Sequence, residues 1–146
     1  MNMSELFKIV LTACLTIAGG IILFVLGQII EKWFIEPVLA FKRAKGGVAW
    51  VLTFYADIYS NPGITKPELM EEASKALRKK ASDLMETINA IPTNFLSRRS
   101  KGNILEASRN LIGLSNAVYD INSVISNREK RKRIVELLGL DKVWDL

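Results

Sequence analysis

Hydrophobic positions follow two different patterns along the chain. From Ile9 to Ile30 they are nearly continuous: 22 residues pass without a charge, between Lys8 on one side and Glu31 and Lys32 on the other. At about 1.5 Å per residue a helix of that length spans roughly 33 Å, close to a hydrocarbon core of roughly 30 Å. The pattern predicts a transmembrane helix. Its polar interruptions are mild, since Thr12 and Thr16 sit where a hydroxyl bonds back to its own helix and Gln28 falls near the end. A buried core helix and a cleaved signal peptide are the alternatives. So long an uncharged run is uncommon inside small soluble domains. A signal peptide needs a basic start, an apolar run of about 7–15 residues and a small-x-small cleavage site. Here the leading flank is weakly charged, the run is longer, and residues 28–33 offer no small pair. The sequence therefore reads as an uncleaved signal anchor.

Beyond the span, apolar residues recur every three or four positions. Pro37 suits the first turn of a new helix. Val38, Phe41, Val48, Leu52, Tyr55 and Tyr59 form one face, and Ala40, Ala44, Gly47, Val51, Phe54 and Ile58 a second. A helix apolar on nearly all sides is buried or touches lipid. Its longest uncharged run, Gly46 to Ala56, is 11 residues and too short to span. Gly46-Gly47 predicts a weak point or bend.

Ser60-Asn61-Pro62-Gly63 is a turn signal. Thr65 and Glu68 have capping-box spacing and open an amphipathic helix that runs to Ile91, where Pro92 stops it. Residues 92–102 read as a loop or short helical turn carrying Arg98, Arg99 and Lys101. Asn103 and Glu106 repeat the capping-box spacing and open a helix whose apolar face runs from Ile104 to Ile125. Asn127 precedes a charge run, Arg128 to Arg133, that leads into a last helix with Gly139 as its cap. Asp141 to Leu146 add one turn, with Trp144 packing back. No strand-like alternation, repeat or low-complexity stretch occurs. The expected fold class is all-α: one N-terminal transmembrane helix followed by a small cytoplasmic helical bundle of about four helices. The chain divides into an anchor (1–32), a juxtamembrane hydrophobic helix (33–60) and a cytoplasmic helical domain (61–146).

Charge sets the expected orientation. Lys and Arg number 20 against 15 Asp and Glu, a net charge of +5. Glu5 and Lys8 cancel within residues 1–30, so the whole excess follows the span. Lys32, Lys42, Arg43 and Lys45 come directly after it, which places the N-terminus outside and the bulk of the chain in the cytoplasm of a single-pass cell-membrane protein. Trp33 and Phe34 stand where an interfacial aromatic belt belongs.

Composition narrows the chemistry. There is no His, hence no His-based acid–base catalysis, triad or imidazole metal ligand, and the single Cys excludes an intrachain disulfide. Cys14 lies within the span, where a thiol behaves as a small apolar group. No phosphate-binding glycine loop is present. Glu68, Glu71 and Glu106 would be the first residues tested for an enzyme, but di-metal bundles use Glu-x-x-His pairs as well. Ser74-Lys75, Ser97-Arg98 and Ser100-Lys101 are neighbours without a surrounding nucleophile elbow. No catalytic, cofactor-binding or metal residue is expected, and no cofactor.

Three sets of residues are candidates for interaction. Ala13, Gly20 and Gly27 recur at intervals of seven and form a small-residue seam for helix packing in the membrane. Lys42, Arg43 and Lys45 lie close behind the span, placed for anionic lipid headgroups. Asn110, Ser115 and Asn116 interrupt an apolar run and suggest a polar network between helices. The basic runs 78–80, 98–101 and 128–133 bring no nucleic-acid motif with them. The expected partners are therefore the bilayer, anionic headgroups, and a second copy or another protein, rather than nucleic acid. The leading expectation is an interaction or assembly module anchored at the cytoplasmic membrane surface. The competing ones are an oligomerising, membrane-disrupting effector gated by its helical domain, and a membrane-bound enzyme.

Overall fold

The computed structural model describes residues 2–91 and 97–141. The expectations for Pro92 and Trp144 lie outside the described residues. Every regular element among those described is helical. In chain order they are α1 (Met3–Ile30), a π-helical turn (Glu31–Ile35), α2 (Glu36–Phe54), α3 (Ala56–Ser60), α4 (Pro67–Ala90), α5 (Arg98–Ala117), a 3-10 turn (Ile121–Ser123) and α6 (Val124–Leu138). Packing separates two compact units, Met1–Glu36 and Pro37–Leu146.

The first unit is essentially α1. It is long and apolar enough to cross a membrane, and among the described residues it lies in the one helix that is. None of its side chains is buried, and Leu23 is 71% exposed. The Thr12 hydroxyl donates to the Lys8 carbonyl at 2.8 Å and that of Thr16 to Thr12 at 2.9 Å, so neither needs an outside partner. Helical bonding continues unbroken from Met3 to Phe54. Pro37 therefore sits near the start of α2 without starting a separate helix. It lacks an N–H, and its ring crowds the carbonyl of Trp33 four residues back; the wider π-turn at Glu31–Ile35 gives that ring room.

The second unit is a bundle of four long helices, α2, α4, α5 and α6, with the short α3 across one end. Its core includes Val48, Leu52, Leu77, Leu84, Leu111, Leu114 and Ile134, all fully buried. Each buried aliphatic side chain stabilises the fold by about 1.5–3 kcal/mol relative to exposure. Tyr55 and Tyr59 join this core, so the segment 37–60 packs as part of the bundle. Successive helices run antiparallel. At the end where the chain enters from Pro37, Phe41 and Lys45 of α2 share a small pocket with Ser100 of α5 and Leu137 of α6. At the opposite end, the hydroxyl of Tyr55, just after α2, donates to Glu72 of α4 at 2.7 Å.

Several helix boundaries differ from those expected. Gly46-Gly47 produces no break, because α2 continues through it; a Cβ at Gly47 would lie 3.1 Å from the Lys80 side chain, so this glycine leaves room for that side chain. Thr65 is not the cap of α4. The helix begins at Pro67, whose missing N–H costs nothing in the first turn, and Lys66 caps it without a side-chain bond. α5 begins five residues before Asn103, since the Ser97 hydroxyl accepts from the Ser100 N–H and caps it earlier. α5 ends at Ala117 rather than running to Ile125. The Asp120 carboxylate accepts from the Asn122 N–H at 3.0 Å and turns the chain there. Gly139 does close α6: with φ +57 it lets Gly139 N–H reach Glu136 and Leu140 N–H reach Val135.

Candidate interaction surfaces

Asn127 is the most constrained polar side chain in the bundle. It is fully buried on α6, and its Nδ2 donates to the Tyr59 carbonyl and to Ser123 Oγ, both at 2.9 Å. Its Oδ1 meets no protein donor among the described residues. The Tyr59 hydroxyl in turn donates to the Leu52 carbonyl at 2.5 Å. Together these bonds tie the bend after α2 to α6. Nothing in the local pattern around Asn127 marks it as an interior residue except Val124 three positions before and Ile134 seven after.

Arg78 links α4 to α5. Its Nε donates to Ser115 Oγ at 3.3 Å and its Nη2 to Asn116 Oδ1 at 2.5 Å. Asn110 lies apart from this contact and donates to the Glu106 carbonyl of its own helix. A second polar link between these helices, Ser108 Oγ donating to the Ala81 carbonyl at 3.0 Å, was not anticipated. Its signal is a serine on the apolar face beside Ile104, Ala107 and Leu111, opposite a small residue.

The acidic residues considered for catalysis are spread among separate contacts. Glu71 pairs with Lys75 at 2.5 Å, which holds its carboxyl below the ordinary value. Glu106 pairs with Arg133 at 2.7 Å, with the same effect. Glu68 makes neither contact. Among the described residues no three His, Cys, Asp or Glu side chains gather to hold a metal ion. Tyr55 has its phenol pushed up to about 12, by burial first, then by its bond to Glu72 and that carboxylate's charge. Burial also raises Tyr59, against the lowering effect of Arg131 beside it.

The concave sites are shallow. A furrow of about 590 Å³ follows α1 past Lys8, Thr12, Ala13 and Thr16, walled by a single helix. A groove of about 350 Å³ runs between α2 and α4 with Arg43, Lys80, Asp83 and Glu86 on its rim. A third, of about 280 Å³, lies between α3 and α6 with Ser60, Arg128 and Arg131 around it. None joins a nucleophile to a base.

On α1, a Cβ at Gly20 or Gly27 would meet open space, so both leave their side of the helix free for close approach. Lys42 and Arg43 are exposed, while Lys45 is half-buried, its ammonium 5.9 Å above the Phe41 ring. Compared with known protein families, curated proteins and solved structures, the chain matches none.

Proposed function

We propose that this chain is a single-pass membrane protein that carries a helical interaction module on the cytoplasmic surface of the cell membrane. The observation that supports it is α1: an apolar helix, uncharged from Ile9 to Ile30 and with no buried side chain, attached to a bundle that has its own core. In water such a helix exposes a large apolar surface at high cost; in a bilayer that surface is solvated. The excess of Lys and Arg after the span supports the orientation, with the N-terminus outside. The seam of Ala13, Gly20 and Gly27 supports self-association through α1, since small residues allow the backbone approach that drives packing in lipid. Lys42, Arg43 and Lys45 take the anionic headgroups next to the span.

The pore-forming alternative is weaker. Thr12 and Thr16 spend their hydroxyls on their own helix, and α1 offers no charged stripe to line a channel.

The decisive experiment is alkaline carbonate extraction of membranes from expressing cells, followed by crosslinking in the membrane. The chain is expected in the pellet and as a crosslinked oligomer. Ile22→Lys, at a cost of about 2.5–3.5 kcal/mol for a charge mid-span, shifts it toward the supernatant. Gly20→Leu with Gly27→Leu keeps it in the pellet and removes the oligomer. Release of the unaltered chain by carbonate rejects the membrane reading.

A further inference from the structure

The geometry points to the entry end of the bundle as a membrane-facing surface, where Arg98, Arg99 and Lys101 of α5 join Lys42, Arg43 and Lys45 of α2 in binding anionic lipid. This rests on the membrane reading above and extends it to a second cluster more than fifty residues away in sequence.

The antiparallel order puts the first turns of α2 and α5 at the same end, the one that begins at Pro37. Lys45 and Ser100 line one pocket there. Arg98, Arg99, Lys42 and Arg43 are exposed, and Lys45 and Lys101 half-buried. Among the described residues none of the six forms an ion pair, and Lys80, which shares the groove with Arg43, pairs with Asp83. Nearby acids are largely committed: Asp83 holds Lys80, and Glu136 lies near Lys132 and Arg133. The acids left without an ion pair near the patch include Glu86, on the rim of the groove beside Arg43, and Glu36 in the first turn of α2.

The α5 cluster is also poorly placed for the helix itself. Its first turn has three cations and no acid, at the end where the helix dipole is already positive. Fold stability would favour the reverse arrangement, as in α4, which opens with Glu68. An external anion relieves that repulsion. A bilayer with acidic headgroups is the polyanion nearest to a domain joined to a membrane span, and each cation near such a surface adds to the attraction.

The test uses the full chain with Cys14→Ala, reconstituted into phosphatidylcholine vesicles with and without a third of phosphatidylglycerol. A fluorophore is attached through Gly102→Cys, an open position beside the α5 cluster, or through Ile64→Cys, in the turn at the opposite end. A water-soluble quencher is present on both sides. Quenching at residue 102 is expected to fall severalfold on the acidic vesicles and to stay unchanged at residue 64. Salt raised from about 0.1 M to about 1 M, which shortens the screening length from about 10 Å to about 3 Å, restores it. Arg98→Gln with Arg99→Gln and Lys101→Gln abolishes the protection, while Arg128→Gln with Lys130→Gln and Lys132→Gln leaves it. Equal quenching at residue 102 on both lipids, in chains that resist carbonate extraction, overturns the inference and leaves the anchor standing. Chains that fail to enter either vesicle overturn both.

Discussion

Two side chains carry much of the bundle's specificity. Asn127→Ala removes two donated bonds and leaves the buried Tyr59 carbonyl without its partner. It is expected to lower stability by about 2–3 kcal/mol, read from denaturant midpoints of the full chain in mild detergent. Tyr55 gives a pH signature. Its folded phenol titrates near 12 against an ordinary 10.0, so its contribution is complete below pH 10 and lost as pH rises toward the folded value. Tyr55→Phe is expected to be less stable than the unaltered chain at neutral pH, with the gap closing above pH 10; a constant gap across that range would reject the assignment. Spacing puts Tyr55 on an apolar face in the sequence, whereas Asn127 does not declare itself there. Asn127 stands directly before a charge run, and only the way α6 turns against α3 puts it inside.

At the scale of the element, the helices themselves were legible. The all-α class, the long apolar helix and the bundle of about four helices follow from three-to-four spacing, which reflects a single buried stripe on each helix. Boundaries were less legible because several capping signals compete locally. Asn103 reads as the start of α5, but Ser97 caps the helix earlier by accepting the Ser100 N–H. The break between α5 and α6 falls earlier than the pattern suggests, because Tyr119 and Ile121 keep the apolar rhythm through a turn that Asp120 makes. Gly139 was legible, since a residue of positive φ after a helix is nearly always glycine. Gly139→Ala is expected to cost about 1 kcal/mol, measurable as a lower denaturant midpoint without change in helix content. Contacts between helices, such as Arg78 with Asn116, depend on the register of α4 against α5, which no local pattern encodes.

For the whole molecule, the pairs α4–α5 and α5–α6 are neighbours in sequence and pack directly against each other. Contacts between local segments form quickly. The closure of α2 is different. Its partners include Leu137 and, through Tyr59, Asn127, which lies 68 residues further on. During synthesis the span and α2 leave the ribosome first, and α6 last. Until α6 arrives, Val48 and Leu52 have no complete cover. On the membrane reading proposed above, the chain therefore faces a choice in time as well as in structure: α2 would stay out of the bilayer only as long as its 11-residue uncharged run is too short to enter it. Lengthening that run by Lys42→Leu, Arg43→Leu and Lys45→Leu together, which leaves residues 37–56 without a charge, is expected to draw α2 into the membrane before the bundle closes, seen as protection of a Thr53→Cys label from an impermeant reagent. The basic residues proposed to meet the headgroups would then also be what keeps the first bundle helix from following α1 across.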